Sequence, residues 1–210
     1  RQFKVPKSGV RPTTERTREA VFSSLAARVP GARVLDLFAG AGGLGLEAWS
    51  RGAASVTAVE KSSSVWKILS ENFHCLEPGL RQKAAAGRPT ASGRSASRRK
   101  ADESFQRLEN QEGAGSGSLG SFQVIRDDVY RFLKRAGGPF EFDLIFADPP
   151  YDEVDLPRLL QAVGQVLSPD GLLVFEMRSR DPVAVSRGWK ILKQKKYGST
   201  QVLFFKRVGS

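Results

Sequence analysis

The chain has 210 residues, of which 40% are hydrophobic, and a net charge of +11 at pH 7. A single cysteine, Cys75, and a single histidine, His74, exclude an internal disulfide and a His/Cys zinc site, so no metal is expected. No stretch approaches the about 18 uncharged apolar residues of a membrane span, and the segment RQFKVPKSGV lacks the apolar core of a signal peptide.

Charge is distributed unevenly along the sequence. Residues 1–33 hold eight basic and two acidic side chains, and residues 178–210 hold nine and one. Residues 121–177 have the opposite balance, with five basic and ten acidic side chains. Basic flanks around an acidic centre favour a polyanion bound outside and a cationic small molecule bound inside, although a basic surface that serves only solubility gives the same count.

The first part of the chain alternates helical and strand patterns. A helix, strand, helix, strand and helix are predicted in that order, at 11–29, 32–38, 43–52, 55–60 and 62–76. Thr13 or Thr14 is the predicted N-cap of the first helix, since it follows Pro12. The adjacent His74 and Cys75 are expected near a helix end, without a chemical role.

A change of composition marks residues 78–120. This segment is rich in Gly, Ser, Ala and Arg, and it holds one Phe and three Leu, too few to form a core. We expect a flexible low-complexity insertion, with a short helix near 101–111, inside a single domain that spans 1–210.

The second part of the chain returns to alternating patterns. A strand, helix, strand, helix and strand are predicted at 122–128, 129–136, 140–151, 154–167 and 171–177. Two further strands, 189–197 and 200–207, flank the turn Gly198–Ser199 with no helix between them. The sequence therefore predicts an α/β, Rossmann-like fold: a doubly wound, seven-stranded, mostly parallel sheet with an antiparallel C-terminal hairpin at one edge.

A glycine loop follows the first predicted strand, in VLDLFAGAGGLGLEA. Gly40, Gly42 and Gly45 match G-x-G-x-x-G, which by itself indicates only a sharp turn and a close approach of backbone to ligand. Asp36 precedes the turn where a dinucleotide places its pyrophosphate, and a carboxylate repels that group by roughly 1–4 kcal/mol at about 4 Å. A cationic ligand such as S-adenosylmethionine (SAM) is favoured instead, unless Asp36 only stabilises the turn.

Acidic residues also close the next two strands. Glu60 lies 20 residues after Gly40, where a carboxylate accepts both ribose hydroxyls of SAM or of NAD; capping the following helix is the alternative role. Asp127 and Asp128 follow the third strand, and Asp128 is our choice to accept from the adenine amine, with the Val129 N–H reaching the ring. A helix N-cap at Asp128 is compatible with that role.

The segment ADPPY continues the apolar strand DLIF. Pro149 and Pro150 remove two N–H donors and stiffen the turn, which leaves the Asp148 carboxylate and the Pro149 carbonyl as acceptors. Two acceptors suit an exocyclic amine, whose lone pair they aim at an electrophilic methyl group, and Asp148 or water then takes the proton. Tyr151 can stack on a base displaced from its helix.

These motifs resemble the RsmD family of class I SAM-dependent methyltransferases, which methylate the exocyclic N2 of a guanine in bacterial small-subunit (16S) ribosomal RNA. The resemblance covers about 1–77 and 121–207, and RPTTERTRE at 11–19 is its most specific segment. Two features depart from the family: its amino-terminal hairpin is mostly missing, and the 78–120 insertion is foreign to its compact form.

The resemblance implies roles for individual residues. The implied SAM pocket comprises Asp36, Phe38, Gly40, Gly42, Glu60, Lys61, Asp128, Val129 and Asp148. The implied amine site comprises Asp148, Pro149, Pro150 and Tyr151. The residues expected to meet RNA are Arg11, Thr13, Thr14, Arg16 and Arg18. Arg16 is expected to reach the mouth of the cofactor site, whereas Arg18, two positions on, is expected to face elsewhere.

Rival functions stay open at this point. A NAD-dependent oxidoreductase explains the glycine loop but neither Asp36 nor D-P-P-Y, and a non-catalytic ribosome-assembly protein explains the charge but leaves D-P-P-Y without a role. An adenine-N6 methyltransferase acting on DNA or RNA uses the same tetrapeptide, whereas a protein-glutamine enzyme is disfavoured because Asp148 replaces Asn. The expected partner of a monomeric enzyme is ribosomal RNA or the assembling small subunit. The expected location is the bacterial cytoplasm, or an organelle if a transit peptide has been removed.

Overall fold

The structure is a computed structural model that describes residues 15–86, 120–136, 141–150, 155–183 and 185–208. The helices are α1 (Glu15–Leu25), α2 (Gly43–Ser50), α3 (Ser63–Ala86), α4 (Val129–Arg135) and α5 (Leu156–Val163), and a 3-10 turn, Ala26–Arg28, follows α1. The strands are β1 (Arg33–Leu37), β2 (Ser55–Glu60), β3 (Ser121–Arg126), β4 (Phe142–Ala147), β5 (Leu167–Arg178), β6 (Trp189–Tyr197) and β7 (Thr200–Arg207).

All seven strands form one sheet in the order β3-β2-β1-β4-β5-β7-β6. The pairs among β1 to β5 are parallel, and β7 runs antiparallel to both β5 and β6. The predicted fold class is therefore confirmed, with the hairpin at one edge of the sheet. Strand β7 pairs with the parallel body, so β6 is the outermost strand on that side.

Helices cover both faces of the sheet. Successive side chains of a strand point to opposite faces of the sheet. On one face, α1 and α2 pack their apolar residues against every second side chain of β1, β4, β5 and β7. On the opposite face α4 and α5 pack against the intervening residues of the same strands. Phe22 of α1 and Phe146 of β4 lie 5.6 Å apart between ring centroids and are both fully buried, which anchors α1 across the middle of the sheet.

The third helix is longer than the sequence analysis predicted. Instead of ending at 76, α3 continues to Ala86 with Pro78 inside it, so the predicted end of this helix was wrong. Proline removes one backbone hydrogen bond, but LRQKAAA after Pro78 and Gly79 contains strong helix formers that prolong the helix. His74 and Cys75 thus lie within the helix rather than near its end, and the rest of the predicted insertion, 87–119, lies outside the described residues.

Other boundaries shift by a few residues. The first helix is shorter than 11–29, and its predicted caps Thr13 and Thr14 lie outside the described residues. Helix α5 begins after Asp155, whose side chain accepts from the Arg158 N–H at 3.4 Å, and it ends at Val163 rather than 167. Strand β5 begins at Leu167, which pairs with Phe142 before a bulge, so its predicted start at 171 was also wrong.

Candidate active site at the carboxyl edge of the sheet

The five parallel strands end at one edge of the sheet, called here the carboxyl edge. Ligands of open α/β sheets bind at this edge. An acidic residue stands within two positions of the end of each strand: Asp36 on β1, Glu60 on β2, Asp127 and Asp128 after β3, Asp148 after β4 and Glu176 on β5. The topology therefore gathers the acidic centre of the sequence where a ligand is expected.

The glycine bend, residues 38–45, connects β1 to α2. Its backbone φ angles are positive at Phe38 (58°), Gly40 (55°) and Gly42 (91°), a conformation that costs energy for a residue with a side chain. A Cβ atom on Gly45 would lie 2.8 Å from Asp36 Oδ2 and 3.2 Å from Val56 Cγ1. The first two glycines thus make the turn, and the third lets α2 approach the strands closely.

Side chains from outside the bend hold its backbone in place. Glu60 Oε2 accepts the Gly40 N–H at 3.0 Å, and its Oε1 accepts the Ser62 N–H at 2.7 Å. Glu60 thereby joins the bend to the start of α3, while each oxygen keeps capacity to accept a further hydrogen bond. This arrangement fits both the predicted ribose role and the helix-end role.

Asn72 of α3 is a residue that the sequence analysis missed. Its Nδ2 donates to the Ala41 carbonyl at 3.0 Å, and the residue is only 2% exposed. Leu69, Phe73 and Leu76 form the apolar stripe of α3, and Asn72 interrupts it. A polar residue on an apolar helix face was the available signal.

Asp36 is buried rather than open to the ligand site. It is 2% exposed, and its Oδ2 accepts the Gly45 N–H at 2.8 Å. Burial raises the pKa of Asp36 to about 7; the Gly45 hydrogen bond opposes this rise, and the charges of Asp148 and Glu60 add to it. The structure therefore supports the turn-stabilising role that the sequence left open, and it makes the negative charge of Asp36 dependent on pH near neutrality.

Asp128 caps α4. Its Oδ1 accepts the N–H groups of Tyr130 and Arg131 at 3.1 and 3.2 Å, the two positions after Val129. Its Oδ2 lies 3.4 Å from Lys61 Nζ. Partial burial raises the pKa of Asp128, but the hydrogen bonds from Arg131 and Lys61 outweigh burial and hold that pKa below its ordinary value. Asp128 thus stays ionised beside the end of β2, in contact with Lys61, another residue of the implied SAM pocket.

Asp127 has a different environment from its neighbour. It is 9% exposed, and both Arg131 and Arg135 of α4 contact its carboxylate. Its own N–H donates to the Glu60 carbonyl at 3.2 Å, which extends the pairing of β2 and β3. Asp127 thus ties α4 to the sheet.

The D-P-P turn follows β4 directly. Asp148 is half-buried, Pro149 is buried and Pro150 is exposed. Because Asp148 and Glu60 both raise the pKa of Asp36, three carboxylates lie within electrostatic range of one another around the glycine bend. Tyr151 lies outside the described residues.

The predicted RNA contacts are only partly described. Arg11, Thr13 and Thr14 lie outside the described residues, and Arg16 is exposed. Arg18 does not face away from the site as predicted: its Nη1 lies 3.8 Å from the position that a Cβ on Gly43 would occupy, at the start of α2. Arg18 lies one helical turn after Glu15, and its Nη2 is 3.9 Å from Glu15 Oε1. The placement of α1 on the sheet directs the Arg18 side chain toward the bend.

Within the described ranges, no three His, Cys, Asp or Glu side chains are grouped as metal ligands are. Over the same ranges, no helix has both the length and the apolar character needed to cross a membrane.

Comparison with known proteins gives a consistent family. The family model described as conserved hypothetical protein 95 matches residues 1–108 and 99–206. A relative from Escherichia coli (strain K12), named ribosomal RNA small subunit methyltransferase D, is 48% identical over 215 residues, which cover 99% of this chain and 85% of the relative. A relative of the same name from Haemophilus influenzae is 27% identical over 192 residues, covering 90% of this chain and 79% of the relative.

A solved structure shares the fold. A hypothetical protein from Thermus thermophilus superposes with a TM-score of 0.65 at 25% identity, over 99% of this chain and 93% of that one. Sequence and structure thus agree along nearly the whole length of the chain. The chain belongs to the family described as conserved hypothetical protein 95, which is the RsmD family of methyltransferases.

Proposed function

We propose that this protein transfers a methyl group from SAM to the exocyclic N2 amine of a guanine in small-subunit ribosomal RNA. The observation that carries the proposal is the group of three carboxylates, Asp36, Glu60 and Asp148, around the glycine bend at the carboxyl edge. The family's members from two bacteria are named for methylation of small-subunit ribosomal RNA.

The acidic edge suits SAM better than a dinucleotide. Glu60 and Asp148 repel a pyrophosphate at the bend and attract the ammonium and sulfonium of SAM, and Asp36, buried beneath the bend, adds to both effects when it is ionised. Glu60, at the end of β2, is placed to accept the ribose hydroxyls, and Asp128 is placed near the adenine. When bound, SAM supplies an electrophilic methyl group.

The D-P-P turn supplies the acceptors for the substrate amine. The Asp148 carboxylate and the Pro149 carbonyl each accept one N–H of the amine, which orients its lone pair away from them. As the nitrogen gains a fourth substituent it becomes positively charged, and Asp148 stabilises that charge and accepts the displaced proton or passes it to water. Pro149 and Pro150 hold the turn rigid, so that the acceptors are in place before the base arrives.

A methylation assay tests the proposal. Tritiated SAM is incubated with the protein and with small-subunit particles, naked small-subunit RNA, large-subunit RNA or DNA, the ribosomal material coming from cells that lack the protein. We expect label only in small-subunit RNA or particles, and nuclease digestion should map it to N2-methylguanosine. Label in adenine would favour the adenine-N6 alternative, and binding of particles without any label would favour the non-catalytic assembly role.

A further inference from the structure

Strand β5 brings an acidic residue, Glu176, next to the D-P-P turn. The parallel ladder between β4 and β5 pairs Ala147 with Phe175 as its last partners. One step further along each chain come Asp148, directly after β4, and Glu176 of β5, and neighbouring strands of a sheet are about 4.8 Å apart. On the other side of β5, Glu176 pairs with Val202 of β7, so the position is fixed from both sides.

Strand alternation puts Glu176 on the face of the sheet that α1 and α2 cover, and the same alternation, continued one residue beyond the end of β4, puts Asp148 on that face. Phe146 and Val174, two residues before each of them, both pack in the core beneath α1 and α2. Val202, the partner of Glu176 on β7, packs in the same core. The glycine bend and Asp36 also lie on this face, because α2 contacts it through Gly45.

Glu176 is unusual in being an acidic side chain that is only 8% exposed. Glutamate is almost never buried to this extent unless a polar partner compensates for the lost hydration. Thr17 of α1, 2% exposed, is another buried polar group among the residues that α1 turns toward this face. Two polar side chains, Thr17 and Glu176, are thus buried on the face of the sheet that α1 and α2 cover.

A carboxylate at this place discriminates between purines. In guanine the N1–H donor adjoins the N2 amine, whereas in adenine the N1 acceptor adjoins the N6 amine. A carboxylate only accepts hydrogen bonds when ionised, so it attracts N1–H and repels a bare N1. Base recognition in unpaired RNA commonly uses this Watson–Crick edge.

We infer that Glu176 accepts a hydrogen bond from the N1–H of the target guanine and thereby selects guanine over purines that lack this donor. This inference rests on the proposed function, since it requires the N2 amine to lie at Asp148 and Pro149. In this arrangement Glu176 binds N1–H and determines which base is accepted, whereas Asp148 binds the N2 amine that is methylated.

A purine analogue separates the two roles. Small-subunit particles are reconstituted with RNA that carries either guanine or 2-aminopurine at the mapped target position. The analogue keeps the N2 amine but has a bare N1 acceptor. We expect the wild-type protein to prefer guanine by at least about 100-fold in kcat/KM, because a site built around a donor rejects an analogue without it. The affinity for SAM is measured in parallel by calorimetry.

The variant Glu176→Gln should change this preference. Its side-chain amide can donate to the bare N1 of 2-aminopurine, so activity on the analogue should rise. Its neutral carbonyl oxygen accepts from N1–H more weakly than a carboxylate, so activity on guanine should fall, and the preference should shrink at least about tenfold with unchanged SAM affinity. Asp170→Asn is the matched control: Asp170 lies in the same strand at its other end, where it is exposed and paired with Lys206 at 2.8 Å, so its preference should equal that of the wild type.

Each outcome bears on the inference. Equal turnover of both purines by the wild type, or an unchanged preference in Glu176→Gln, would overturn it. If Glu176→Gln does not fold, Glu176→Ala and the wild-type preference still decide the matter. Failure of the proposed function gives a different result, namely no methyl transfer to guanine N2 in particles of natural sequence.

Discussion

The two ends of the parallel strands treat their carboxylates in opposite ways. At the amino edge, where the strands begin, Asp143 of β4 accepts two hydrogen bonds from the Arg33 guanidinium, at 3.0 and 2.8 Å, and one from the Arg33 N–H. The Arg33 hydrogen bond lowers the pKa of Asp143 and outweighs the opposing effect of partial burial, so this pKa lies below its ordinary value. At the carboxyl edge burial raises the pKa of Asp36 to about 7.

The opposite pKa shifts of Asp143 and Asp36 indicate different roles for the two edges. A carboxylate with a cationic partner contributes to the stability of the fold, whereas a buried carboxylate among other carboxylates opposes it. A protein that keeps such a group at the carboxyl edge loses stability in the free state and gains attraction for a cationic ligand. The contrast thus assigns a structural role to the amino edge and agrees with our proposal that methyl transfer takes place at the carboxyl edge.

The largest expected effect comes from Asp148, in the turn after β4, with Asp143 at the start of β4 as its control. Asp148→Ala should lower methyl transfer by about 1,000-fold or more, because it removes the acceptor of the amine and its proton, while SAM still binds. Asp143→Asn, five residues earlier at the amino edge, should keep full turnover at temperatures below its unfolding transition. Single-turnover assays with tritiated SAM measure both, and substantial turnover by Asp148→Ala would refute the amine site.

Stability as a function of pH should separate the same two edges. The folded-state pKa of Asp36 is raised above its ordinary 3.8, so its contribution to stability is complete below about pH 4 and declines as pH rises through about 7. Asp36→Asn should therefore exceed the wild type in free energy of unfolding at pH 8, by up to about 4 kcal/mol, and should differ little at pH 4.

Asp143 should show the opposite sign. Its folded-state pKa is lowered, so its contribution is present above the ordinary value and is lost as pH falls below it. Since its side chain is 38% exposed, Asp143→Asn should lose only about 1 kcal/mol at pH 7. Urea unfolding at several pH values measures both variants, and a shift of the same sign in the two would contradict the comparison.

The affinity for SAM should increase with pH between about 6 and 7.5. A cationic ligand favours the ionised Asp36, so below the pKa of about 7 it must displace a proton, and affinity should fall toward tenfold per pH unit. Calorimetry in two buffers of different ionisation heat measures the affinity and the released proton. Asp36→Asn should show neither the proton release nor this slope; identical profiles for variant and wild type would remove the electrostatic role of Asp36.

The smallest effect is expected for the ion pair at the amino edge. Arg33→Ala should lower the free energy of unfolding by about 1 kcal/mol or less, since the two side chains are 47% and 38% exposed. Combined with Asp143→Asn it should cost less than the sum of the single changes, because both remove the same contact. The affinity for SAM should be unchanged, and a large loss would mean that the two edges are coupled.

Local patterns in the sequence were sufficient for the strands and the hairpin. The runs VLDL, TAVE and DLIFA are apolar enough to be buried on both faces of the sheet, and the strands flanking Gly198 and Ser199 agree with 189–197 and 200–207. The acidic residues that close the strands could also be found, because strand ends are visible in the sequence.

Features that depend on tertiary packing could not be predicted in this way. The burial of Asp36 arises from the approach of α2 at Gly45, and the direction of Arg18 arises from the placement of α1. The length of α3 was misjudged because Pro78 suggested an end, although the following residues continue the helix. In the sequence Glu176 is only one residue of a strand, since its proximity to Asp148 follows from the order of strands in the sheet.

The position of β7 between β5 and β6 has a consequence for biosynthesis. Strand β5 pairs on one side with β4 and on the other with β7, and β7 (Thr200–Arg207) is translated only after both β5 and β6. Until β7 leaves the ribosome, β5 is an open edge that exposes unpaired backbone groups to neighbouring chains. The nascent chain is thus open to pairing with neighbouring chains during the interval between the synthesis of β5 and that of β7.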